Sequence, residues 1–195
     1  MSRIGRIAAS SAVSAVVAGM AMTGLFAAPA QAAETGVAAS SDKNCDRKVS
    51  VGNARYKGDI FHSAASTAWV KHNHVGIYYT TKTIVEAPGG DHKSWSRTAS
   101  THRVCGPAYK MYVKAAQSSR NNAANYAYNS LRGKPYDLSF FNNKSNGDAN
   151  LNCSELVWKA YKRAANIELD SNGGPGVYPD DIKNDGSTVV YQTVR

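Results

Sequence analysis

Three cysteines lie in this chain, and an odd number leaves one without a partner in the same molecule. The candidate for the unpaired thiol is Cys153, in the run 152–157 (NCSELV). A buried free thiol can simply fill space in a hydrophobic core. It can also serve as a catalytic nucleophile. The residues around Cys153, and the elements that must position it, bear on this choice.

Cys153 lies at the predicted start of a helix. Asn152 is a favourable N-cap residue and Glu155 follows three positions later, which is the spacing of a capping box with Asn in place of Ser or Thr. Cys153 would then be the first helical residue, beside unpaired backbone N–H groups and the positive end of the helix dipole. Both features favour the thiolate, which is the nucleophilic form. The same spacing predicts that Glu155 caps the helix rather than acting as a catalytic acid.

A histidine and a carboxylate face each other in a predicted hairpin that precedes this helix. If residues 79–81 form the turn, His74 falls directly opposite Glu86, and side chains opposed in this way lie about 5 Å apart at Cβ. The carboxylate would fix the imidazole tautomer and leave the other ring nitrogen to act on Cys153, as in a catalytic triad. Considered singly, a strand histidine is more often structural or solvated, and Glu86 could be the surface partner of a nearby lysine. The three residues together are the stronger signal.

The elements that would position these residues are a mixture of strands and helices. Runs rich in Val, Ile, Tyr and Thr predict strands, and apolar residues at helical spacing predict two helices. The strand candidates are 59–63, 74–79, 83–87, 95–104 and 189–191, the helices are 113–131 and 153–165, and 136–150 and 173–176 are loops. This order favours an α+β fold over a doubly wound sheet.

Six short segments carry a family resemblance. Spread over roughly residues 56–185, they resemble the permuted papain-like amidohydrolases of the YiiX/YaeF kind, in the NlpC superfamily. The segments are 58–61 (GDIF), 74–78 (HVGIY), 84–87 (IVEA), 133–137 (GKPYD), 153–157 (CSELV) and 178–182 (YPDDI). In the permuted members the histidine-bearing strands precede the cysteine helix, as they do here.

The resemblance implies both a fold and a set of roles. The fold would be a circularly permuted papain-like one, with an antiparallel sheet packed on helices and the cysteine at a helix N-terminus. Cys153 would be the nucleophile, His74 the base and Glu86 the residue that orients His74. Tyr136 would lie in the active site near the forming oxyanion, where its hydroxyl could donate to developing negative charge.

The first 32 residues have the features of a signal peptide. Arg3 and Arg6 precede an apolar stretch that is too short for a membrane span, and residues 30–32 (AQA) offer a small-x-small cleavage site. We expect a secreted protein that is cleaved near Ala32/Ala33 and has no transmembrane segment in the mature chain. The resulting division is a signal peptide at 1–32, a linker at 33–50 and a cysteine hydrolase domain at 51–195.

The charge of the chain suggests partners for the exported form. The formal net charge is +9, of which the mature chain keeps +7 because Arg3 and Arg6 are the charged residues before position 33. A basic exported protein is attracted to anionic surfaces such as cell-wall polymers. The basic residues are scattered and form no basic helix, so nucleic acid is not expected as a partner.

Cys45 and Cys105 form the natural disulfide pair if Cys153 is the free thiol. Their bridge would close a loop of about 60 residues, worth roughly 4 kcal/mol in the chain-entropy model. The sequence alone also allows the two other pairings. The nucleophile hypothesis therefore depends on Cys45 pairing with Cys105.

The sequence predicts a hydrolase, and two alternatives stay open. We expect an exported cysteine amidase or peptidase that cleaves amide bonds through an acyl-enzyme, with peptidoglycan peptide stems or a similar peptide as its substrate. The same Cys-His-Glu set would also suit a lipid acyltransferase or thioesterase, and a non-catalytic secreted binding protein is the third reading. No cofactor or metal is expected, because no histidine lies in a His-Glu-x-x-His or Cys-x-x-Cys pattern.

Overall fold

The structure is a computed structural model, and it describes residues 45, 47–67 and 70–195. The predicted signal peptide and most of the predicted linker lie outside the described residues. The predicted linker needs a correction at its end, because its last three residues form strand β1 (Lys48–Ser50). Val49 of this strand is buried in the smaller core of the sheet. No helix in the described ranges is long and apolar enough to cross a membrane.

A curled antiparallel sheet of seven strands forms the body of the domain. The strands after β1 are β2 (Ile60–Thr67), β3 (Val70–Thr80), β4 (Thr83–Glu86), β5 (Trp95–Thr98), β6 (Arg103–Val113) and β7 (Thr188–Val194). Their order is β1-β6-β2-β3-β4-β5, and β7 also pairs with β6. Both β1 and β7 lie along one edge of β6, β1 near its start and β7 near its end, while β2 takes the opposite edge.

Side chains that alternate along the strands enter two separate cores. Ile60 and Ile77 point into the larger core, which the sheet shares with the helices. Their neighbours Phe61 and Tyr78 point into a smaller core on the other side. Successive side chains of a strand point to opposite faces of the sheet, and here each face is covered by one of the two cores.

The helices are α1 (Gln117–Ser130), α2 (Cys153–Ala165) and α3 (Pro179–Asn184), with a 3-10 turn at Ala99–Thr101. Helix α1 buries Ala123, Ala124 and Ala127, and it packs on α2 and β3. The arrangement confirms the predicted α+β class, and α2 has the predicted bounds.

Most of the predicted strands and the first predicted helix have different limits in the structure, and two of these differences follow from the pairing of the sheet. The strand expected at 95–104 is two strands, β5 and β6, separated by the 3-10 turn. The helix expected at 113–131 begins at Gln117, because Val113 is still part of β6 and pairs with Thr188 of β7. Pairing with a strand about 75 residues away in the sequence is not visible in a local pattern.

Candidate active site

Helix α2 begins at Cys153, and Asn152 caps it through a complete capping box. The Asn152 side chain accepts a hydrogen bond from the Glu155 N–H at 3.0 Å, and the Glu155 carboxylate accepts one from the Asn152 N–H at 3.2 Å. Cys153 is buried and is the free cysteine among the described residues. Its sulfur therefore lies in the first turn of a helix whose N-terminus is held rigidly.

The cap is tied to two loops that flank the helix. Asn143 is fully buried, and its amide donates to Asn152 Oδ1 at 3.3 Å and to the Val177 carbonyl at 3.1 Å. The Ser154 hydroxyl donates to the same two acceptors, at 3.1 and 2.7 Å. The polar Asn152 is thus satisfied in the interior, and the start of the helix is fixed to the chain before α3.

His74 and Glu86 meet, but the predicted register is wrong by two residues. Ile77 pairs with Val85 and Tyr78 with Ile84, which places Glu86 two positions along from the site directly opposite His74. The two side chains stay on one face because a shift of two preserves the alternation of a strand. His74 Nε2 lies 2.8 Å from Glu86 Oε2.

The register differs because the turn is shorter than the predicted one. A bulge lies between Tyr78 and Thr80, and Thr80 pairs with Thr83. The Thr80 hydroxyl accepts hydrogen bonds from the N–H groups of Lys82 and Thr83, at 3.2 and 3.0 Å. A side-chain oxygen thereby closes a turn that contains no Gly, Asn or Asp.

Glu86 is a fully buried carboxylate with charged and polar partners on both oxygens. Besides His74, the imidazole Nε2 of His102 lies 3.2 Å from Oε2. Trp95 Nε1 and Arg97 Nη1 each donate to Oε1 at 3.1 Å. Sequence reasoning missed these three residues. The only available signal was that Trp95 and Arg97 are two apart in a predicted strand, which places them on one face.

The electrostatics of the site favour a charged His74. Burial lowers the pKa of His74, but hydrogen bonds and charge interactions with Cys153 and Glu86 outweigh this and raise it to about 10. Burial would also raise the pKa of Glu86, yet His102 and His74 hold that pKa well below its ordinary value. Since His74 Nε2 faces Glu86, Nδ1 is the nitrogen left for the Cys153 sulfur. The arrangement therefore favours an imidazolium at His74, next to the Glu86 carboxylate.

Tyr136 lies in the same site. Burial, together with the charge of Cys153 and a hydrogen bond to it, raises the pKa of Tyr136 well above its ordinary value. A Cβ at Gly89 would lie 3.6 Å from the Tyr136 ring, so the ring packs closely on this residue, whose φ is +90°. The structure therefore places a protonated phenol beside the sulfur.

The other two cysteines are joined to each other. Cys45 and Cys105 form a disulfide across 60 residues, with their Cα atoms 5.5 Å apart. Lys48 pairs with Cys105 in the sheet, so the bridge continues the attachment of β1 to β6. Within the described part of the chain, no group of three or more His, Cys, Asp or Glu residues is arranged to hold a metal ion.

The fold and the site together define a class of protein. An antiparallel sheet supplies a histidine and a carboxylate, and a helix that comes later in the chain begins at a cysteine; this is a papain-like arrangement in permuted order. Residues 55–181 match a family model described as a permuted papain-like amidase enzyme, YaeF/YiiX, C92 family. The chain belongs to this family.

Two individual proteins are similar to this chain. An uncharacterized protein of Bacillus subtilis (strain 168), YycO, is 36% identical over 140 residues, which are 71% of this chain and 56% of that protein. The chain thus spans about half the length of the curated relative it matches. A crystal structure titled metalloprotein yiiX from Escherichia coli O157:H7, DUF1105, aligns with 71% of this chain and 97% of that one, at 14% identity and a TM-score of 0.45.

Proposed function

We propose that this protein is a cysteine amidase that cleaves its substrate through an acyl-enzyme. The observation that carries the proposal is the position of His74, which bonds to the Glu86 carboxylate at 2.8 Å and also to the Cys153 side chain. A thiolate beside an imidazolium is the resting form of an activated cysteine nucleophile. The family supports amide hydrolysis as the type of reaction.

In the first half of the reaction, the Cys153 thiolate attacks the amide carbonyl carbon and a C–S bond forms. The carbonyl oxygen becomes an oxyanion, toward which the Tyr136 hydroxyl and the backbone N–H groups at the start of α2 can donate. When the intermediate collapses, the C–N bond breaks, and His74 gives its Nδ1 proton to the leaving amine. The products are an amine and a thioester on Cys153.

In the second half, water attacks the thioester. His74, now neutral, takes a proton from the water, and the thiolate of Cys153 leaves as the carboxylic acid forms. Glu86 remains ionised throughout and stabilises the imidazolium each time it appears. Cys153 has no exposed surface. Substrate access therefore requires a displacement of neighbouring side chains, and Tyr136 is one that contacts the sulfur.

We further propose that the protein is exported and that its substrate is a peptide of the cell wall. The support is the signal-peptide pattern of residues 1–32 and the net charge of +9, which favours association with anionic wall polymers. Peptide stems of peptidoglycan supply amide bonds in that location. N-terminal sequencing of the secreted form should begin at Ala33; a first residue within 1–10 would refute cleavage.

The decisive experiment compares wild type with Cys153→Ala on purified peptidoglycan and on short peptide amides, with the released amines quantified. The proposal expects release by wild type and none above the uncatalysed rate by Cys153→Ala. Activity that survives this substitution would refute the mechanism. Selective alkylation of Cys153 by iodoacetamide provides a second test that needs no substrate.

Hydrolysis or transfer of a lipid acyl group is the second candidate function, and one observation favours it. The loop that carries Tyr136 also exposes two large apolar side chains, Leu138 at 85% and Phe141 at 68%. Next to Phe141, Phe140 stacks on Tyr178, which is itself exposed. Large apolar groups exposed together mark a surface for an apolar partner more often than a solvated face.

The two candidates predict different effects of this loop. With an acyl substrate, Leu138→Ser and Phe141→Ser should raise KM about 10- to 150-fold each, because burial of a large side chain is worth about 1.5–3 kcal/mol. With a polar peptide substrate, both variants should behave like wild type. Val190→Ser is the matched control, since Val190 is an exposed apolar residue of β7.

A further inference from the structure

A second imidazole contacts the carboxylate that orients His74. His102 Nε2 lies 3.2 Å from Glu86 Oε2, the same oxygen that His74 contacts at 2.8 Å. The other carboxylate oxygen is occupied by Trp95 and Arg97. Both oxygens of Glu86 therefore have nitrogen partners. His102 approaches the oxygen that His74 also contacts, as a close electrostatic contact outside hydrogen-bond geometry.

The His102 ring is buried and held by packing, since neither of its nitrogens makes a hydrogen bond within the described residues. Its side chain is 2% exposed, and its ring packs edge-on against Phe61 at 5.3 Å. Phe61 also contacts the His74 ring at 5.6 Å, so a single phenyl group supports both imidazoles. The backbone of His102 is fixed as well, because its carbonyl accepts from the Val51 N–H at 2.9 Å.

Without His102, Glu86 Oε2 would have His74 as its remaining partner. The carboxylate could then rotate toward Arg97 and Trp95, because both of these donate to the other oxygen. A rotation of this kind lengthens the bond to His74 and loosens the imidazole that must meet Cys153. Small errors in the position of a reacting group are costly to rate.

We propose that His102 is a positioning residue, which fixes the Glu86 carboxylate so that Glu86 in turn aims His74 at Cys153. This inference rests on the proposed function, since it assigns a role within the same site. His102 makes no contact with the reacting atoms in this role. Its effect is therefore on the rate of the chemical step rather than on substrate binding.

The test uses two substitutions of His102 and a matched control. His102→Leu removes the ring nitrogens but keeps an apolar side chain against Phe61, and His102→Gln keeps a donor that can reach Glu86. His62→Leu is the control, because His62 is an equally buried histidine that contacts Asp180 and not Glu86. For each protein the experiment measures kcat, KM, the pH profile of Cys153 alkylation and the thermal midpoint.

We expect His102→Leu to lower kcat about 10- to 100-fold, the usual loss when a group behind a reacting side chain is removed, with KM little changed. The rate of Cys153 alkylation should fall in parallel, and His102→Gln should recover most of both losses. Wild-type kinetics in His102→Leu would overturn the inference. The inference would also be overturned if His102→Leu, His102→Gln and His62→Leu all lowered kcat by the same factor. That result would indicate a purely structural role for His102. Failure of wild-type Cys153 to react at all would instead refute the proposed function itself.

Discussion

Substitution of Glu86 by Gln is the sharpest test of the electrostatic arrangement. The change keeps the size of the side chain and one oxygen acceptor, but it removes the negative charge behind His74. It also leaves Arg97 and His102 beside a neutral amide. The imidazolium of His74 then loses its carboxylate partner, and the pKa of His74 must fall.

The size of the effect follows from the pKa of His74. A rise from 6.5 to about 10 corresponds to about 5 kcal/mol in favour of the imidazolium, at 1.36 kcal/mol per pH unit. Cys153 and Glu86 share this stabilisation against the opposing cost of burial. One opposite charge at hydrogen-bond distance contributes about 1–3 pH units. We therefore expect the pKa of His74 in Glu86→Gln to lie at about 7–9.

The assay is the pH dependence of kcat/KM on a peptide amide, because the leaving amine takes its proton from the His74 imidazolium. The alkaline limit of this profile, expected near 10 in wild type, should move down by the same 1–3 pH units. At neutral pH, kcat/KM should fall about 10²-fold or more, since the neutral amide no longer fixes the tautomer. Glu168→Gln, which removes a half-exposed carboxylate, is the control. An alkaline limit that stays in place in folded Glu86→Gln would refute the reasoning.

Three further predictions concern the oxyanion, the helix cap and a second buried histidine. Tyr136→Phe should lower kcat on a peptide amide about 10²-fold with little change in KM, because one oxyanion donor is lost. An unchanged kcat would exclude the donor role. Asn152→Ala should lower the free energy of unfolding by about 2 kcal/mol in a urea titration, the upper end for an N-cap, since the side chain is buried; a loss that stays near zero would contradict the cap. Burial lowers the pKa of His62 to about 4, although Asp180 opposes this. Between pH 6.5 and pH 4 the imidazole is therefore protonated in the unfolded chain but neutral in the folded one. Stability should therefore decrease by about 2 kcal/mol between pH 7 and pH 4.5, and His62→Gln should lose this dependence; a wild-type curve that is flat over this range would contradict it.

Helix α2 was predictable because its signals are local. Its cap, its first residue and the bonded Glu155 all lie within four consecutive positions, so a short stretch of sequence contains the whole interaction. The face shared by His74 and Glu86 was predictable for a related reason. Residues two positions apart on a strand point to the same face of the sheet. A register error of two residues therefore leaves His74 and Glu86 on a shared face.

The turn and the long strand β6 were not predictable in the same way. The turn depends on the Thr80 hydroxyl, which bonds to two backbone N–H groups, and many threonines near turns do not do this. Strand β6 is stabilised by three partner strands from separate parts of the chain. Long-range pairing of this kind leaves only a weak trace in local composition.

The sequence by itself determined that Cys153 begins a capped helix, that His74 and Glu86 share a strand face, and that the motif order resembles the permuted papain-like family. These features depend on spacing within a few residues. Only the tertiary structure decided what surrounds Glu86. The pairing of β4 with β5 brings Trp95 and Arg97 to the carboxylate, and the 3-10 turn beyond β5 brings His102. A buried charge needs several partners, and the fold gathers them from separate elements.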